Sequence, residues 1–177
     1  EEDDRARNGG RCDRNGHGTI VASVISNARR GRGRVYLGVA PDSTVIPVRV
    51  LDAQGQGSYS QVIDGIQWIV EHKARYNIRV MNLSLSSYVT TPYFVDPLNR
   101  AVEAAWANGI VVVAAAGNEG PGAESVTVPG NDPYVITVGA MTDNYTPYDE
   151  GDDSLASFSS TGPTVEGFIK PDVIAPG

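Results

Sequence analysis

One cysteine, Cys12, stands in 177 residues, so no internal disulfide can form and no thiolate cluster can hold a metal. Long apolar runs are missing as well: none approaches the ~20 residues that a membrane-spanning helix requires. Positive charge is scarce, since 14 Lys and Arg against 21 Asp and Glu leave a formal net charge of −7. A general nucleic-acid binder needs clustered positive charge, and that class is excluded. No methionine or leader opens the chain; it starts on the polar stretch EEDDRARNGG, and the expectation is a start inside a longer product. A phosphate loop is missing too. Gly117, Gly120 and Gly122 have the wrong spacing for a dinucleotide fingerprint, and AESVTVPG after them does not open a helix.

What is present is an ordinary globular composition, 41 % hydrophobic and 20 % charged, enough for one domain with a core. Basic residues cluster once, in NARRGRGRVY, where Arg29, Arg30, Arg32 and Arg34 are interleaved with glycines. That stretch reads as a solvated loop before it reads as an anion site. Arg11 and Arg14 flank Cys12 and would favour a thiolate, but that setting alone does not make a catalytic thiol.

Hydrophobic periodicity organises the rest. Ile20, Val21, Val24 and Ile25 recur at three and four behind His17, the stripe of an amphipathic helix. VIPVRV (Val45 to Val50) predicts a strand. Ser58 followed by Gln61 predicts a capping box, with Val62, Ile66, Ile69 and Val70 on one helical face. IRVMNLSL (Ile78 to Leu85) predicts a strand, and NRAVEAAWANG a helix stopped by Gly109. IVVVAAAG (Ile110 to Gly117) predicts a strand covered on both faces, and YVITVGA (Tyr134 to Ala140) another. Strands alternating with helices predict an α/β fold with a mostly parallel sheet and helices on its faces. Ligands bind beyond the carboxyl ends of such strands, where the turns after Val50, Leu85 and Ala116 converge.

Four stretches carry chemistry. His17 sits between Gly16 and Gly18 at a helix start, where a substrate backbone can approach an imidazole suited to general-base work. His72, within EHKAR, lacks that setting and reads as solvated. In AAAGNEGPG a buried strand delivers Asn118 to the rim; its amide reads either as turn chemistry or as a donor to an oxyanion. QGQG and LSLSS are short extended stretches that can pair with a peptide by strand addition.

Taken together, GHGTIVAS, GVAP, VRVLDAQGQGSYS, MNLSLSS, AAAGNEGP, VPGNDPYVITVGA and SFSSTGP…KPDVIAPG resemble the subtilisin-like serine proteases in order and spacing, from about Asp13 to Gly177. The resemblance is to the bacterial branch with SFSSxGP and KPDVxAPG. It implies a subtilisin-like three-layer α/β sandwich and a serine endopeptidase acting through an Asp-His-Ser triad. His17 would be the triad base and Asn118 the side-chain arm of the oxyanion hole. The backbones of Gly55, Gln56 and Gly57 and of Ser84, Leu85 and Ser86 would clamp an extended polypeptide substrate. Ala115, Ala116, Gly117 and Thr127 would line the main specificity pocket, with Glu119 at its rim and a cis bond before Pro129.

Departures from the family pattern are equally specific. The triad runs Asp, His, Ser, yet only sixteen residues precede His17, and none forms an apolar strand to carry the aspartate. Asp13 occupies a place where relatives carry an aspartate outside the triad, and Asp3 and Asp4 lie in a charged run. The family's GTSMA nucleophile follows the APG on which this chain stops. Residues 1–177 are therefore expected to be the central part of a peptidase domain, incomplete at both ends and lacking two of three triad groups. A non-catalytic peptide-binding pseudoprotease is the alternative. Ile20 stands where relatives often repeat a histidine, Ser86 where glycine is common, and Thr161 where arginine is frequent. No cofactor is required by this chemistry. ARRGRGR lacks the family's calcium loop, and YDEGDD (Tyr148 to Asp153) reads as a solvated acidic loop before a cation site. No metal site, nucleic acid or membrane partner is expected, and a secreted location is favoured over a cytoplasmic one.

Overall fold

The computed structural model describes residues 13–146 and 148–177, so the readings placed on Asp3, Asp4 and Cys12 lie outside the described residues. The chain divides into two compact units, residues 1–65 and 66–177.

In the first unit, helix α1 (His17–Ser26) follows Gly16, an N-cap in the left-handed region. Its expected apolar stripe is only half covered. Val21 and Ile25 are half-buried, whereas Ile20 and Val24 are 66 % and 57 % exposed. Spacing fixes which residues share a helical face, but not what covers that face. The arginine-rich loop is a hairpin: Arg30 pairs antiparallel with Tyr36, and its guanidinium lies 4.7 Å over that ring. The stretch 45–50 is extended, with Ile46, Val48 and Val50 half-buried in alternation, yet it forms no ladder among the described residues. Alternation sets the faces of a strand, whereas a ladder also needs an adjacent edge.

Helix α2 (Tyr59–Tyr76) opens on the predicted capping box. Ser58 N donates to Gln61 Oε1 (2.9 Å), and Gln61 N to Ser58 Oγ (3.3 Å). Val62 and Ile66 are buried on its apolar face. Contrary to the solvated reading, His72 is half-buried: its ring stacks on Trp68 at 4.2 Å, with Nδ1 2.8 Å from the Trp68 carbonyl. The i, i+4 spacing places these two rings one above the other.

The second unit is built on a five-stranded sheet of β1 (Val80–Leu83), β2 (Val111–Ala115), β3 (Ile136–Thr142), β4 (Ser154–Leu155) and β5 (Val173–Pro176). β1, β2, β3 and β5 run parallel, and β4 pairs antiparallel with the end of β3. β5 spans Val138 to Met141 of β3, so β2 and β4 share the opposite edge. Met81, Leu83, Val112 and Ala114 are buried. Helix α3 (Pro97–Ala107) packs on β2 and buries Leu98, Val102 and Ala105; full burial of such aliphatic side chains contributes ~1.5–3 kcal/mol each. The expectation that β2 is covered on both faces is corrected: Val111 is 38 % exposed, and Val113 and Ala115 are half-buried. A continuous apolar run shows that both faces are apolar, not that both are packed.

α3 starts earlier than its apolar period suggests. Asp96 caps it through Leu98 N (2.9 Å) and Asn99 N (3.0 Å), with Pro97 in the first turn. It ends as predicted. Gly109 has φ 73°, Gly109 N donates to Trp106 O and Ile110 N to Ala105 O, a complete Schellman closure.

The turn leading into β3 buries Asp132. Its Oδ1 accepts from Tyr134 N at 2.8 Å, Oδ2 has no partner, and burial pushes the carboxyl up to about 6. Between 3.8 and about 6 the folded chain thus holds a proton that the unfolded chain has released. Stability therefore falls as pH rises through that window. Asp132→Asn is expected to flatten this part of the stability curve; an undiminished slope in urea midpoints would assign the titration elsewhere.

Candidate active site

In the first unit, His17 begins α1 with its imidazole exposed and free of hydrogen-bond partners among the described residues. Its backbone N–H donates to Asn15 Oδ1 at 3.3 Å, and Asn15 Nδ2 reaches Ala53 O at 3.4 Å. This brings the 53–57 turn beside the start of the helix; a Cβ on Gly55 would lie 3.2 Å from Asn15 Nδ2. Asp52 ties that turn internally, with Oδ1 accepting from Gln54 N (2.8 Å) and Gln56 N (2.9 Å). Gly55 N and Gln56 O are likewise spent on Asp52. Among the described residues the backbone of Gly57 makes no hydrogen bond.

In the second unit, parallel pairing of Leu83 with Ala114 puts the carboxyl ends of β1 and β2 side by side. Ser84, Leu85 and Ser86 follow β1 with no backbone hydrogen bond among the described residues. Ser87 then exchanges two 2.9 Å bonds with Val128. Ala115 ends β2, and Ala116, Gly117 and Asn118 follow it. Thr127 closes on them, its N and Oγ1 both donating to Ala116 O at 2.9 and 3.0 Å. Gly117 has φ 112°, and a Cβ there would come to 2.5 Å from Thr127 Oγ1, so the position admits only glycine. Asn118 is exposed and its amide has no partner among the described residues. An amide so placed can donate to a negative oxygen without first breaking a bond. The Val128–Pro129 bond is cis, as expected.

A cleft of about 280 Å³ opens beside this rim, lined in part by Tyr88, Glu119, Glu124, Val126 and Thr127. Of the residues expected at the specificity pocket, Thr127 and Glu119 line this cleft. Ala115, Ala116 and Gly117 do not line the cleft; Ala116 and Gly117 are buried and meet Thr127 instead.

Sequence reasoning missed the support of the Asn118 turn. Ser160 is buried; its Oγ accepts from Glu119 N at 3.0 Å and its N–H donates to Gly117 O at 3.0 Å. Thr161, left without a role, donates through Oγ1 to Gly122 O (2.9 Å), and its N–H donates to Ser125 Oγ (2.9 Å). The clustered hydroxyls of SFSST are the only signal of this in the sequence. Ser160→Ala leaves the Glu119 amide without its acceptor and is expected to cost ~1–3 kcal/mol in chemical denaturation. A smaller loss means that water replaces the hydroxyl.

In the exposed 149–153 loop, Asp149 accepts from Gly151 N, and Asp152 from Thr146 Oγ1 at 2.8 Å. No group of three or more His, Cys, Asp or Glu is placed to hold a metal among the described residues. No helix among them is long and apolar enough to cross a membrane.

Comparison with known proteins identifies the family. A profile described as the subtilase family matches residues 1–177. The chain is 43 % identical over 170 residues to Serine protease AprX of Bacillus subtilis (strain 168), covering 93 % of this chain and 38 % of that protein. It is 38 % identical over 167 residues to Subtilisin DY of Bacillus licheniformis, covering 93 % and 52 %. The chain thus spans about half or less of the length of these curated relatives. Among solved structures, Sphericase superposes with a TM-score of 0.75 at 28 % identity, over 93 % of this chain and 53 % of that one. A cold-adapted subtilisin-like serine proteinase superposes with a TM-score of 0.69 at 32 % identity, over 93 % and 50 %. On sequence and fold alike, the chain belongs to the subtilase family.

Proposed function

We propose that the protein carrying this chain is a serine endopeptidase in which His17 is the general base and Asn118 the oxyanion donor. The observation that carries the reading is the exposed, unpartnered imidazole at the first turn of α1, in a chain of the subtilase family. The serine nucleophile and the carboxylate that orients His17 are supplied from outside the described residues. The serine hydroxyl adds to the peptide carbonyl as His17 takes its proton, and the carbonyl oxygen, now negative, receives the Asn118 amide. His17 then passes the proton to the leaving amine, releasing it and closing an acyl-enzyme. Water repeats the sequence and frees the acid.

The substrate is a polypeptide held extended. The open backbones of Gly57 and of Ser84, Leu85 and Ser86 support this, since each offers unspent groups to an added strand. Gly55 and Gln56 shape their turn and present Gly57. Thr127, with Ala115, Ala116 and Gly117 behind its hydrogen bonds, bounds the pocket for the residue at the cleavage site. The route needs no cofactor, and none is included. Export from the cell is proposed on family resemblance and is tested by fractionating cells and medium.

A fluorophosphonate probe decides the main point. Covalent labelling of one serine, blocked by prior addition of a peptide aldehyde, is the expected result. Peptide binding with no labelling would instead establish a non-catalytic peptide-binding protein.

A further inference from the structure

Asp13 lies four residues before His17 and makes no contact with its imidazole, yet its carboxylate holds the chain on both sides of it. Oδ1 accepts from Asn15 N (3.1 Å) and Gly16 N (2.8 Å); Oδ2 accepts from Thr19 N (2.7 Å) and Thr19 Oγ1 (2.7 Å). The helix needs this help. Its N-cap is Gly16, at φ 92°, which has no side chain with which to cap the first turn. Asp13 performs the capping from outside the helix, bridging the left-handed linkage before His17 to the turn after it.

Two side chains grip this turn, and their strengths differ. Asn15 holds His17 N at 3.3 Å through a neutral amide. Asp13 makes shorter bonds with a full negative charge, and such bonds are roughly twice as strong as neutral ones. We propose that Asp13 is a positioning residue for His17, clamping the backbone on either side so that the imidazole projects toward the reacting groups at a fixed angle. This rests on the reading of His17 as the general base. The Gly16 amide, followed by the Thr19 hydroxyl and amide, holds the Asp13 carboxyl down at about 2. The clamp is therefore charged throughout the range in which an imidazole titrates.

The test compares Asp13→Asn, Asp13→Ala and Thr19→Val in the protein that carries this chain. Turnover is expressed per fluorophosphonate-titrated site, and the His17 ring is followed by the NMR shift and line width of its Cε1 proton at one fixed pH. Asn keeps the contact to Asn15 and Gly16 but sets an N–H against Thr19 N, so the expected order of damage is Thr19→Val, Asp13→Asn, Asp13→Ala. For Asp13→Asn, kcat is expected to fall about 10- to 100-fold with KM within about threefold. At one fixed pH the His17 Cε1 proton signal is expected to move and broaden in both Asp13 variants, as the ring loses its fixed angle. Wild-type kcat together with an unchanged His17 Cε1 signal in both Asp13 variants would reduce Asp13 to scaffolding and overturn the proposal. Absence of label in the unaltered protein would overturn the endopeptidase reading instead, while the His17 signal still decides whether Asp13 positions the ring.

Discussion

His17→Ala is expected to lower kcat by about 10⁴-fold or more, the scale on which a triad base acts, with stability changed by no more than ~0.5 kcal/mol. The two halves of this expectation come from different facts. The side chain is exposed and bonded to nothing among the described residues, so its removal opens no cavity and strands no polar group. Alanine is moreover a better helix former than histidine. The chemical loss is large because no neighbour replaces the base. Asp13 is the nearest carboxylate in sequence, but its oxygens are filled by four donors and it is held at about 2. A group that acidic accepts a proton poorly at neutral pH. His72 has its ring against Trp68 and Nδ1 against that residue's carbonyl. Steady-state turnover and the rate of fluorophosphonate labelling check the prediction. Substantial activity in the variant would show that His17 is not the base.

Asn118→Ala is expected to reduce kcat by ~10²–10³ while KM stays near its original value; this magnitude was measured on the corresponding amide of a subtilisin, a relative, and is borrowed here. The amide is exposed and has no partner among the described residues, and its bond is worth most when the carbonyl oxygen carries full charge. Its loss therefore weakens the transition state and not the bound substrate. Asn118→Asp separates donation from shape, because it preserves size but places a carboxylate beside the developing anion. The aspartate variant is expected to fall at least as far as alanine. An equal rise in KM with kcat unchanged would assign Asn118 to substrate binding.

Much of the local fold was legible because capping rules act between near neighbours in sequence. The Ser58/Gln61 box and the Gly109 stop depend on neighbours within a few residues, and the structure keeps both. Asp96 and Pro97 announce a helix start that hydrophobic period alone placed too late, since capping is written in polar residues. Coverage was not legible. Ile20, Val24 and Val111 have the right spacing and remain exposed, because burial depends on which surface arrives from elsewhere in the chain. The same holds for 45–50, whose alternation appears without a ladder. Asp13 was seen only as an aspartate outside the triad; its role depends on a left-handed Gly16 that a sequence does not announce.

Ser160 and Glu119 meet across 41 residues. Gly120 N also donates to Phe158 O, and Thr161 Oγ1 reaches Gly122 O. The turn bearing Asn118 and the stretch 158–161 are thus one mechanical part made from two pieces of sequence. Engineering by recombination has to respect that join. Chimeras that take 117–122 from one relative and 158–161 from another inherit half of each fastening, and the turn bearing Asn118 is held by mismatched hydroxyls. Those that move both stretches together carry the fastening intact, so crossover points belong between strands and not between these two loops.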